Sequence, residues 1–180
     1  MMPSLNKEKF LESDVALYGM FVSVSLVLSY VEAIIPIRLP VPGMKLGLAN
    51  IVIIWVLYSM GVKAAAIVSI VRVILAGFMF GNVYSMMFSM AGAVLSLVTM
   101  FLLRKVKFFT IIGVSIAGGV MHNAGQILVA VIVLENAKMA YYFPALMISG
   151  VVSGIAIGIL GGVLYRKIKI LPQKTDRGKK

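Results

Sequence analysis

Apolar side chains fill long windows of this chain, and most polar ones fall between those windows. The first window covers 14–35 and stops at PIRLPVPGMK, where Pro36, Pro40, Pro42 and Gly43 are incompatible with a helix. Further windows predict helices over 46–60, 62–80, 83–103, 110–134 and 145–165. They are separated by Gly61, the Gly81-Asn82 pair, the basic run RKVKFF and the segment ENAKMAYYFP. A helix crosses the hydrocarbon layer with about 20 apolar residues, so the pattern predicts six spans, with 46–60 the shortest.

Composition removes the alternative of a water-soluble helical domain. With 61% hydrophobic residues, 13% charged residues and a mean hydropathy of +1.05, the chain lacks the polar side chains to cover a globular surface. The expected fold is an all-α integral membrane protein: a cytoplasmic N-terminal segment 1–13, a transmembrane bundle 14–165 and a basic cytoplasmic tail 166–180. The opening segment MMPSLNKEKFLESD carries both signs of charge and no small-residue cleavage site, so it is expected to stay on the protein. With no cysteine, disulfides, thiolate metal sites and cysteine nucleophiles are excluded.

Charge sets the expected orientation, because basic loops are retained in the cytoplasm. On the side of the two termini fall Lys7, Lys9, Lys63, Arg104, Lys105, Lys107 and seven residues from Arg166 to Lys180, thirteen in all. Arg38, Lys45 and Lys138 fall on the other side, and Arg72 lies inside a span, which accounts for all seventeen basic residues. Both termini are therefore expected to be cytoplasmic, in a cell (inner) membrane. The net charge of +11 then reflects orientation and attraction to anionic lipid rather than a nucleic-acid partner.

Small residues mark helix contacts. Gly150, Gly154, Gly158 and Gly162 recur at every fourth position, a spacing that suits either an internal interface or another subunit. Asn82, Ser85, Ser89, Gly92, Ser96 and Thr99 form one stripe at steps of three and four, facing protein or lining a cavity. Ala16, Gly19 and Ser23 form a weaker small-residue face.

Polar residues at depth need a reason to be there. Arg72 lies ten residues into its helix, about 15 Å at 1.5 Å per residue, near the bilayer centre. It is expected to face the bundle and to meet Glu32, carbonyls or an anion. In VMHNAGQIL, His122 and Gln126 are four apart on one face with Asn123 beside them, a cluster that packing alone rarely satisfies. Glu32, Lys45, Asn50 and Asn82 lie toward the outer face. Together, Glu32, Lys45, Asn50, Arg72, Asn82, His122, Asn123 and Gln126 are the expected substrate-binding residues of an outward-opening pocket, with the proline-rich loop as its lid. Trp55, Tyr58 and Met86 are expected to supply apolar walls.

The segments PVPGMKLGLAN, the Arg72 helix with Gly77 and Gly81, and GVMHNAGQIL resemble the Gx transporter family, many of whose members carry the description heptaprenyl diphosphate synthase component I. The resemblance spans about residues 14–165. The layout is also similar to that of the substrate-binding S components of energy-coupling factor transporters: six helices, cytoplasmic termini and a first external loop that closes a pocket. These resemblances imply a small-molecule binding component driven by a transmembrane coupling subunit and ATPases. The family description implies the alternative, an accessory membrane subunit of a heptaprenyl diphosphate synthase.

Catalysis is not expected of this chain itself. Prenyl elongation requires aspartate-rich clusters that hold magnesium against diphosphate, whereas Asp14 and Asp176 stand near opposite ends. The sequence has no phosphate-binding loop and no arrangement suggesting a catalytic triad. No cofactor and no metal are expected. The expected ligand is a small molecule that is anionic or rich in hydrogen-bonding groups, with a ring or isoprenoid portion against the apolar walls.

Overall fold

The computed structural model describes residues 4–35, 47–106 and 108–168, with side chains from Val15 onward. The proline-rich loop expected to act as a lid, its Lys45, and the tail beyond Ile168 lie outside the described residues. Six α-helices follow one another: α1 (Ser4–Ile34), α2 (Asn50–Ser59), α3 (Val62–Phe80), α4 (Val83–Lys105), α5 (Ile111–Val133) and α6 (Phe143–Lys167). A 3-10 helix over Ala137–Tyr142 leads into α6, and no strand occurs among the described residues.

The all-α bundle expected from the apolar windows is present. Among the described residues five stretches are long and apolar enough to cross a membrane: Val15–Ile34, Val62–Phe80, Val83–Lys105, Ile111–Val133 and Ala137–Lys167. The protein is thus a multi-pass membrane protein. α1 starts at Ser4 rather than at residue 14, but its apolar part starts at Val15; the polar extension simply continues the helix. The sixth helix, α2, has ten residues and a length of about 15 Å, half of what a crossing requires. It is shorter than the 46–60 window because the chain turns through Gly47, Leu48 and Ala49 first, with Gly47 at φ +83°.

Local chemistry sets the helix ends. Asn82 accepts a 2.8 Å bond from the Ser85 N–H at the start of α4, and Thr110 accepts one of 3.2 Å from Gly113 at the start of α5. Gly61, at φ +95°, separates α2 from α3. Arg104 and Lys105 close α4, and Arg166 and Lys167 close α6, the sign that a helix C-terminus favours.

In the bundle, α5 packs between α4 and α6; α2 touches α6 and α3; and α3 touches α4, so these five helices form a ring, with α1 against α3 and α2. The glycine ladder makes the tightest contact and is internal. A Cβ at Gly150 would stand 2.9 Å from the Gly119 carbonyl, one at Gly154 2.6 Å from Ile116 Cα, and one at Gly158 2.8 Å from Ile112 Cα. Gly162 does not continue this contact with α5 backbone. Instead its neighbour Gly161 meets α2, where a Cβ would stand 2.5 Å from Ile54. The main apolar core forms around α2, from Ile53, Ile54 and Leu57 with Phe21, Val68 and Val114.

Because α2 is buried and short, both of its ends need partners inside the protein. At its start the Glu32 carboxylate accepts the Gly47 N–H at 2.5 Å and the Leu48 N–H at 3.2 Å. At its end Arg104 donates to the Leu57 carbonyl while its guanidinium lies 5.1 Å from the Tyr58 ring centroid. An anion at the N-terminal side and a cation at the C-terminal side both oppose the helix dipole.

Candidate functional site

The expected site residues make bonds that fall into two groups, one on either side of the α4 stripe. Ser85, Ser89, Gly92 and Ser96 of that stripe are buried, so it faces the bundle as expected.

The first group centres on Arg72. It shares the buried face of α3 with Ala65, Val68, Ser69 and Ala76, which places a charge in the interior at only 6% exposure. One terminal nitrogen donates to the Asn50 side-chain oxygen over a long 3.5 Å, and Nε is buried with no hydrogen-bond partner among the described residues. The opposite charge that bears on Arg72 is Glu32, the carboxylate that also holds the start of α2. Beside Arg72 a cleft is lined by Val73, Ala76 and Gly77 from α3 and by Ser85, Met86 and Ser89 from α4. It leaves about 10 Å³ for the centre of a water-sized occupant, room for roughly one water. A ligand larger than one water requires side chains lining this cleft to move.

The second group lies on α5. His122, Asn123 and Gln126 are all buried, and the Gln126 amide nitrogen lies 3.2 Å from His122 Nε2. The Asn123 amide donates at 2.7 Å to the Leu146 carbonyl of α6, so it ties two helices together. Gly92 creates the space for this group: a Cβ there would stand 2.7 Å from the His122 carbonyl, 2.9 Å from Nδ1 and 3.0 Å from Gln126 Cγ. The Gln126 carbonyl oxygen is buried without a partner among the described residues.

Other expected residues are placed differently. Asn82 is exposed and caps α4 rather than facing a pocket. Trp55 packs against Phe21 with ring centroids 4.9 Å apart, and Tyr58 pairs with Tyr165 and Arg104, so neither lines the cleft. Met86 alone of the three expected wall residues lines it. Ser85 and Ser89 are not among the expected binding residues; the periodic stripe on α4 contains them without showing that they line the same cleft as Arg72. No group of three histidines or acids suited to a metal occurs among the described residues.

The family heptaprenyl diphosphate synthase component I matches the sequence over residues 21–164, from within α1 to within α6 and across both polar groups. The chain belongs to this family. No curated protein and no solved structure matches it.

Proposed function

We propose that this member of the heptaprenyl diphosphate synthase component I family is the membrane-embedded binding component of a small-molecule transporter, similar to Gx transporters and S components. In this reading α2, which runs from the turn held by Glu32 near the end of α1 to the Leu57 carbonyl held by Arg104 at the end of α4, completes the sixth crossing despite its length, so both termini are cytoplasmic, and a transmembrane coupling subunit and ATPases supply energy. The observation that carries this reading is Arg72, a buried cation at mid-span whose Nε has no partner among the described residues and whose side chain borders a polar cleft. A purely structural arginine at that depth would be expected to have its donors satisfied. An occupant of the cleft would complete them.

A second reading is favoured by the family description: a non-catalytic accessory subunit of a heptaprenyl diphosphate synthase. In that case the metal-binding aspartates belong to a partner, since Asp14 and Asp176 are too far apart in sequence to form a cluster motif. Affinity purification of the full chain from native membranes, paired with uptake assays, separates the two. Recovery of a coupling subunit or ATPases, with solute accumulating in cells that express the chain, supports the transporter. Recovery of a soluble aspartate-rich synthase alone, with its activity rising on addition of the chain, supports the accessory subunit.

A further inference from the structure

We propose that the cleft between α3 and α4 is a subsite for one oxyanion, a carboxylate or a phosphate, held by Arg72 together with Ser85 and Ser89. The proposal deepens the binding-component reading and rests on it for the ligand's role, while the binding itself is a property of the purified chain.

Three observations converge on the cleft. Arg72 is buried beside it with an Nε that has no partner among the described residues, and its planar fork of N–H donors matches two oxygens of one anion better than it matches a point charge. Ser85 and Ser89, at 8% and 6% exposure, line the opposite wall one helical turn apart and bring two hydroxyl donors. Ser85 is also the third residue of α4, in the turn where the positive end of a 23-residue helix dipole favours an anion. Glu32 accepts the Gly47 and Leu48 backbone N–H groups and acts on Arg72 through its charge, while the Arg72 Nε keeps no hydrogen-bond partner among the described residues.

The remaining lining, Val73, Ala76 and Met86, is apolar and suits the carbon skeleton of an organic acid or phosphate. Met86 is the cover. Its side chain lies against Gly77, where a Cβ would stand 2.9 Å from Met86 Cβ and 3.0 Å from Cγ and Sδ. Three rotatable bonds let a methionine swing aside, which a cleft of about 10 Å³ requires before it admits an oxyanion.

The test uses the full chain in detergent and in phosphatidylcholine nanodiscs, with melting temperature followed against sodium phosphate, sodium acetate and sodium chloride at constant ionic strength. Phosphate or acetate should raise the melting temperature saturably, and chloride should not. Combining Ser85→Ala with Ser89→Ala should weaken the apparent oxyanion affinity about tenfold, the effect of one to two hydrogen bonds, without changing the melting temperature in chloride. Arg72→Lys keeps the charge but loses the fork, and it should weaken affinity as well. Identical curves in all three salts, or unchanged oxyanion affinity in the serine variant, would overturn the proposal. Adding phosphatidic acid to the nanodiscs identifies the source: suppression of the phosphate effect marks a lipid headgroup and its persistence marks a soluble solute, both through the same chemistry. Oxyanion binding without solute uptake in cells contradicts only the transporter reading. Uptake that is indifferent to the serine changes contradicts only the subsite.

Discussion

The Arg72 group and the His122 group are both buried polar clusters against α4, yet they meet that helix in opposite ways. At His122 the contact is made by backbone: Gly92 lets α4 approach until a Cβ would stand 2.7 Å from the His122 carbonyl. At Arg72 the contact is made by a side chain, Met86 on Gly77, and a cleft remains. The first cluster ties α4, α5 and α6 together, with Asn123 reaching Leu146. The second leaves the Arg72 Nε without a hydrogen-bond partner among the described residues. The two clusters thus differ in how closely α4 and its neighbour approach at the glycine beside each.

The comparison yields a graded set of stability changes. The largest is expected from Gly92→Ala, because the new methyl group meets backbone that cannot yield; a loss of about 1–3 kcal/mol, read as a lower melting temperature, is typical of such overpacking. Asn123→Leu removes the bond to α6 and should cost about 1 kcal/mol, measured the same way. Gly77→Ala meets Met86 Cβ at 2.9 Å as well as Cγ and Sδ at 3.0 Å; a change of rotamer relieves the outer atoms but not Cβ, so a small helix shift is needed and the loss should be about 1 kcal/mol, below that at Gly92 where the nearest atom is a backbone carbonyl. Equal losses for Gly77→Ala and Gly92→Ala would erase the distinction between a side-chain and a backbone contact. Gln126→Leu should be the smallest, within about 1 kcal/mol of zero, since it gives up the contact with His122 but also removes a buried carbonyl oxygen without a partner.

Much of this architecture was legible in the sequence, and what was hidden has a common cause. The window 62–80 matches α3 end to end because Gly61 and Gly81 punctuate it locally. The stripe on α4 faces inward as its period required, and the glycine ladder was visible, though which helix it met was not. α2 was read too long because the tie that holds its entry turn comes from Glu32, fifteen positions before Gly47, and no local pattern reports such a bond. The stripe pattern contains Ser85 and Ser89 but does not place them on the cleft beside Arg72, and Trp55, an expected pocket wall, packs against Phe21 instead. Periodicity tells which face of a helix is buried; it does not tell which neighbour that face will meet.

Arg72 is the proposed anchor of the ligand, with the His122 group tying α4, α5 and α6 beside it. The most direct test is mass spectrometry of small molecules retained by the purified wild-type chain, by Arg72→Leu and by Gln126→Leu, with melting temperatures recorded on the same samples. The expected result is a solute that wild type and Gln126→Leu retain and that Arg72→Leu loses, while the ligand-free melting temperature of Arg72→Leu stays close to that of wild type. The same solute retained by a folded Arg72→Leu variant would contradict it.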